Sequence, residues 1–260
     1  MSAAALAQYA ALSRRSIFNT IRQPVAIIPA LTFPLVFLAL NSAALARSIE
    51  LPGFPPVDSF LQFMIATTII QGALFGSIAS GSDMALDIEG GFFDRLVATP
   101  VARTSILVGR VAGSFTLSFF QAWVFFLTAL PFGLDVEGGF VGMLGVALIA
   151  AVIGAGLGAI AVSFALRTGS TEAVQGSFPL LFVLMFLSSA FFPRALMNGW
   201  FKTAASINPL SHLIESARSL VISGWATSEF LTALAIAGGF LALGVFLSSV
   251  ALKARLAERA

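Results

Sequence analysis

The sequence predicts an all-α membrane protein, a bundle of six transmembrane helices, and three observations predict it. First, 58% of its 260 residues are hydrophobic and only 10% are charged, where a soluble domain carries about 25% charge. Second, six stretches of at least 18 residues contain no Asp, Glu, Lys or Arg, which is the length that crosses a bilayer core. Third, the basic residues concentrate on one side of the alternation those stretches define. So few polar residues cannot build a water-facing shell around a core of this size, so the solvent must be lipid.

The first span, 24–46, follows Arg14, Arg15 and Arg22. It is too long for the apolar stretch of a secretory signal, about 7 to 15 residues, and is read as retained in the protein. The second span is 59–82, between Asp58 and Asp83, and the third is 108–132, built on the charge-free window between Arg110 and Asp135. The fourth, 140–166, lies between Glu137 and Arg167; the fifth, 173–192, between Glu172 and Arg194; the sixth, 230–252, between Glu229 and Lys253. Each is read as a helix, because only a helix satisfies every backbone group within one segment in lipid. No linker, low-complexity tract or repeat interrupts the series, so residues 1–260 read as one domain.

Basic residues are retained on the cytoplasmic side. With the N-terminus inside, Arg14, Arg15, Arg22, Arg95, Arg103, Arg110, Arg167, Lys253, Arg255 and Arg259 fall inside. Only Arg47, Arg194, Lys202 and Arg218 fall outside, so both termini are expected in the cytoplasm. Gly72 with Gly76 and Gly154 with Gly158 recur at helical spacing, which lets backbones approach closely, either within the bundle or between two copies.

Several chemistries are excluded or disfavoured. The chain has no cysteine, hence no disulfide, thiolate zinc site or cysteine nucleophile. His212 is its only histidine and reads as a surface or interfacial one. No GxxxxGK[ST] phosphate loop exists, since Lys202 follows Phe201 and Lys253 follows Leu252. The net charge of +2 gives no basic surface for nucleic acid. The six windows hold no ionisable side chain of the kind that carries a proton or sodium ion, although backbone carbonyls at a broken helix can bind sodium. If the protein pumps, its energy is expected from a partner.

Two segments between spans are strongly patterned. The first, 83–110, sets Asp83, Asp87, Glu89 and Asp94 beside Phe92, Phe93 and Leu96. A Gly90-Gly91 break separates two short helical stretches, and Pro100 is expected to end the second. Aromatics rimmed by charge suggest a protein-docking surface. The alternative is an interfacial helix in the headgroups, which favours basic residues over this acidic excess. The second segment runs from 191 to 225. Asn208 caps a helix with Pro209 in its first turn, and Leu210, Leu213, Ile214, Ala217, Leu220 and Val221 form one face until Gly224 stops it. Glu215 and Arg218, three apart, are placed on its polar side. Such a helix lies at the outer interface or dips into the bundle, as a connector that seals the outer face or as a gate.

Taken together, the six-span layout, RQP at 22–24, DIEGGFFDRLVATPVAR at 87–103, FFPRALMNGW at 191–200 and NPLSHLIESARSLVISG at 208–224 resemble the type-2 ABC transporter permeases. The nearest branch is the daunorubicin-resistance-like exporters, and the resemblance covers nearly the whole chain. One departure is local: where family members commonly carry a Glu-x-Gly-Thr-like step, this chain has Glu89, Gly90, Gly91 and Phe92.

The resemblance implies a permease with no ATPase of its own, paired as a dimer and served by separate nucleotide-binding subunits that hold ATP and Mg. It implies that Asp83, Asp87, Glu89, Gly90, Phe92, Phe93, Asp94 and Arg95 belong to the ATPase-docking loop. The helices between the fifth and sixth spans, with Asn208, Pro209, Glu215 and Arg218, are then expected near the substrate exit. The expected function is ATP-driven export of an amphipathic or hydrophobic compound, lipid or glycan across a prokaryotic cytoplasmic membrane. The path lies between two copies, lined by the first, second and fifth spans, where Phe63 or Phe182 is a candidate. An ion-coupled secondary transporter would instead keep activity without ATP, and a non-transporting scaffold would show no substrate dependence.

Overall fold

The computed structural model describes residues 3–22, 24–99 and 101–257. Gln23 of the RQP step, Pro100 and Arg259 lie outside the described residues. Among the described residues every regular element is helical, and five helices are long and apolar enough to cross a membrane. The chain is therefore an all-α, multi-pass membrane protein.

Helix α1, Ala3–Ile21, precedes the first span, α2, Pro24–Ala44. Pro29 and Pro34 stand inside α2 without ending it, which lipid-embedded helices tolerate. Helix α3, Phe60–Glu89, begins where the Ser59 hydroxyl accepts the Gln62 N–H at 3.2 Å. Gly90 and Gly91 then break the chain, with Gly91 in the left-handed region at φ 68°, and the short α4 follows at Phe92–Val97. Helices α5, Arg103–Ala129, and α6, Gly139–Thr168, complete the central part of the bundle.

The predicted fifth span is built differently. Residues 173–192 do not form one long helix: α7, Thr171–Gly176, is followed by α8, Phe178–Phe186. Ser177 ends one and starts the other, and a proline sits in the first turn of α8. The apolar helical segment Thr171–Phe186 is shorter than the other spans; at 1.5 Å per residue it covers roughly 24 Å, less than a hydrocarbon core of about 30 Å. Two further helices, α9 at Gly199–Ile207 and α10 at Pro209–Ile222, lead into the last span, α11, Thr227–Ala257.

Helices α3 and α6 form the interior: 83% and 67% of their spanning windows are buried, against 17% for α2 and α11, which border lipid or a partner. Small residues set the crossings. A Cβ at Gly72 would strike the Phe125 ring, and one at Gly154 or Gly158 would strike Ser118 or Ser114, so these glycines pack α3 and α6 onto α5 within one chain. Gly156 and Gly244 do the same for α6 against α11. Helix α1 lies along the start of α5, with Leu12 and Ser16 against Gly109 and Gly113. One end of the bundle therefore gathers α1, the end of α3, α4, the start of α5, α7 and the last turns of α11. It is called the terminal end here.

Candidate functional site

At the terminal end, Asp83 and Asp87 are one turn apart on α3 and face Arg110 of α5. The Arg110 guanidinium pairs with Asp87 in a short contact, stands 3.8 Å from Asp83 Oδ2, and donates to the Asp83 carbonyl at 3.4 Å. Arg15 of α1 forks onto the same Asp87, donating to Oδ1 and Oδ2 at 3.1 Å each. Two carboxylates and two guanidinium groups thus join three helices. Arg110 is buried, and removing a charge from water is tolerated because the opposite charges are in contact with it.

The two phenylalanines after the glycine break go to different places. Phe93 is 1% exposed and packs with Met84, Ile88, Ile106, Leu166 and Leu252. Arg255 stands 5.9 Å from its ring and donates to the Leu166 carbonyl at 2.8 Å, tying α11 to the end of α6. Phe92 is half-buried beneath the Arg15 guanidinium, 3.8 Å from its ring centroid. The expected exposed aromatic pair is therefore corrected: adjacent helical residues point about 100° apart, so α4 cannot show both rings to a partner. Glu89 accepts the Thr171 N–H at 2.7 Å and so fixes the start of α7. Of the residues expected on the docking loop, Asp83, Asp87, Glu89, Phe92 and Phe93 tie the chain to itself. Asp94 and Arg95 stay exposed, as does Leu86 of α3.

At the opposite end, Asn208 both starts α10 and closes α8. Its side-chain oxygen accepts the Leu210 N–H at 2.9 Å, and its amide donates to the carbonyls of Leu184 and Leu187 at 2.6 and 3.0 Å. The predicted apolar face of α10 is fully buried, and Gly224 at φ 85° follows its end. The pairing of Glu215 with Arg218 is not formed. Glu215 pairs with Arg194, while Arg218 turns inward. The Arg218 guanidinium donates to the Phe63 carbonyl at 2.9 Å and to Thr67 Oγ1 and the carbonyls of Ser189 and Ala190 at 3.1 Å. It also stands 3.6 Å from the Phe63 ring. His212 Nε2 hydrogen-bonds the Ser206 carbonyl at 2.9 Å.

A seam of aromatic rings joins α2, α3 and α8. Phe33 lies 5.2 Å from Phe75 and 5.9 Å from Phe182, and Phe182 lies 5.2 Å from Phe186. Phe186 and Phe37 each meet Phe191, at 4.9 and 5.4 Å. Phe33 and Phe186 are more than two-fifths exposed, so the seam offers a polarisable apolar surface to whatever lies outside the chain. Phe63, the other candidate, is instead buried beneath Arg218. A cavity of about 790 Å³ opens between α2, α3 and α5 near Asp58. Asp58, Asp135 and Glu137 converge within 4.8 Å there, but all three are exposed to solvent. Water solvates such a cluster, and its geometry alone assigns no metal.

Sequence reasoning passed over Arg15, Arg110 and the inward turn of Arg218. The first two were visible only as topology-setting charges. Their signal is that α3 carries Asp83 and Asp87 with helical spacing, and a buried carboxylate pair needs cations from neighbouring helices.

Residues 7–222 match the ABC-2 type transporter family. The chain is 28% identical over 203 residues to the daunorubicin resistance ABC transporter permease DrrB1 of Streptomyces coeruleorubidus, covering 76% of this chain and 69% of that protein. It is 29% identical over 238 residues to ycf38 of Pyropia yezoensis, a candidate transport permease, covering 90% and 80% of the two. A third relative is DrrC of Mycobacterium tuberculosis, a candidate doxorubicin resistance ABC transporter permease, 22% identical over 226 residues and 87% and 81% of the two chains. With the family pattern spanning the bundle from α1 to the end of α10, the chain belongs to the ABC-2 type transporter family.

Proposed function

We propose that this chain is the membrane permease subunit of an ATP-driven exporter in a prokaryotic cytoplasmic membrane, with both termini in the cytoplasm. A separate nucleotide-binding subunit binds ATP and Mg and docks at the terminal end. The observation that carries the reading is the construction of α4. Its inner side, through Phe93, is locked into α3, α5, α6 and α11, while Asp94 and Arg95 stay at the surface. Asp87 and Glu89, just before it, are tied to α1, α5 and α7. A push on so short and well-anchored a helix reaches most of the bundle at once, which is what coupling a partner's ATP cycle to the spans requires.

Two copies of the chain enclose the path, and the cargo is an amphipathic or hydrophobic compound, lipid or glycan. The exposed aromatic seam of α2, α3 and α8 supports this, because it lies on the first, second and fifth spans and offers apolar contact without charge. The drug-resistance relatives support an export role. An ion-coupled mechanism finds less support, since Asp83 and Asp87 near the inner end of α3 are committed to arginines.

The test is affinity purification of the tagged chain from its native membrane. An ABC-type ATPase is expected to co-purify, and the charge-reversed variant Asp94→Arg with Arg95→Glu is expected to lose most of it while remaining folded. Recovery of the wild-type chain as a competent transporter with no ATPase bound would overturn the reading.

A further inference from the structure

Helix α1 carries no acidic residue, and Arg14, Phe18 and Arg22 follow one another at four-residue spacing. They therefore share one side of the helix as it runs into the turn before α2. Arg14 and Arg22 approach the Phe18 ring from either end, at 5.3 and 5.6 Å from its centroid. With Ala11 and Arg15 they line a groove of about 370 Å³. Arg15 is committed to Asp87, but among the described residues neither Arg14 nor Arg22 has a carboxylate partner.

The depth of this groove is fixed. Gly109 and Gly113 seat Leu12 and Ser16 of α1 so closely that a side chain on either glycine would clash. Gln8 accepts the Ala102 N–H at 3.0 Å, and Tyr9 meets Thr104 at 2.5 Å. The first span begins at Pro24, two residues after Arg22, so the Arg22 guanidinium sits at the edge of the hydrocarbon, with Arg14 two turns earlier on the same side of the helix. A second, mostly apolar cleft of about 300 Å³ opens beside α1 between α2 and α5. It is lined by Ile17, Ile27, Leu31, Leu117 and Phe120, with Thr116 and Gln121 also on its wall.

We propose that this pair of clefts is a binding site for one anionic phospholipid. The headgroup phosphate lies between Arg14 and Arg22, whose planar N–H forks suit phosphate oxygens. An acyl chain lies in the cleft between α2 and α5. A soluble phosphate would use the first cleft and leave the second empty, which is why the lipid is the occupant. Because Arg15 leaves the same helix to pair with Asp87, the lipid is held one residue from the ionic cluster that anchors the end of α3. The site does not depend on the exporter reading.

The experiment titrates the purified full-length chain, in neutral detergent, with phosphatidylglycerol or phosphatidylcholine of identical acyl chains and counts bound lipid by native mass spectrometry. Each arginine near the surface is worth about fivefold in affinity for an anionic lipid, so the pair should favour phosphatidylglycerol by roughly 25-fold. Arg14→Gln with Arg22→Gln should abolish that preference, whereas Arg47→Gln, remote on the sequence and exposed, should keep it. Leu31→Trp, which fills the apolar cleft, should weaken both lipids alike. Equal binding of the two lipids by the wild-type chain would overturn the proposal. So would an unchanged preference in the double variant, or glycerol 3-phosphate competing as tightly as the lipid.

Discussion

The Arg218 guanidinium has no carboxylate in contact among the described residues, so neutral acceptors must satisfy it. It holds three separate pieces of chain together: the start of α3, the turn after α8, and α10. Arg218→Met would remove a donor from four acceptors in a closed environment, only the Ala190 carbonyl keeping the Thr67 hydroxyl, and should cost about 3 kcal/mol. Arg194→Met, which breaks a half-exposed pair with Glu215, should cost less than about 1 kcal/mol. Thermal unfolding of the two variants in detergent checks the order, and equal losses would contradict the role given to Arg218. The sequence placed Arg218 correctly outside the six charge-free windows but on the wrong side of α10. Spacing to Glu215 favoured a surface pair, and only the tertiary fold brings the carbonyls of Phe63, Ser189 and Ala190 to one point. Asn208 was legible as a cap because capping is local; its second task, closing α8 from 21 and 24 residues away, was not.

Among the elements, the long helices were readable because lipid imposes one demand on every residue of a span, but their ends were not: α3 runs on past Asp83 and Asp87, α5 begins ahead of Arg110, and α11 continues past Lys253. The fifth was misjudged because hydropathy does not register a helix break. Ser177 and the proline that follows interrupt an apolar run whose composition stays unchanged. Helix α4 was found from Gly90 and Gly91, yet which of its rings faces inward depends on α5, α6 and α11 and could not be read locally. Phe93→Ala should therefore destabilise the chain by about 3 kcal/mol, while Asp94→Ala, at an exposed position, should lower its unfolding temperature far less and act mainly on ATPase recovery. Loss of ATPase binding by Phe93→Ala alone would not distinguish docking from unfolding, so Asp94 and Arg95 are the better probes. The glycines of α6 and α11 divide in the same way. Gly156→Leu meets the backbone of Phe240 and Leu241 and should prevent a stable bundle. Gly238→Ala meets nothing within 4 Å in the middle of α11 and should be neutral, or gain up to about 1 kcal/mol from helix propensity. Size-exclusion profiles of the two proteins separate these outcomes.

For the molecule as a whole, orientation decides which end faces the cytoplasm. Basic residues favour the terminal end: Arg14, Arg15, Arg22, Arg95, Arg103, Arg110, Arg167, Lys253 and Arg255 are all there among the described residues, against Arg47, Arg194, Lys202 and Arg218 at the other. That count understates the asymmetry, because Arg218 is buried in hydrogen bonds and Arg194 is paired, leaving Arg47 and Lys202 as the basic groups free to set topology there. At the terminal end, Arg14, Arg22, Arg95 and Arg103 make no ion pair among the described residues. The chain has no cysteine, so single substitutions report position directly. Thr99→Cys, exposed after α4, should react with an impermeant thiol reagent only after the cells are opened. Ser206→Cys, exposed at the end of α9, should react in intact cells. Labelling at residue 99 in intact cells with protection at 206 would place α4 outside, away from any cytoplasmic ATPase, and the exporter mechanism would have to be abandoned rather than adjusted.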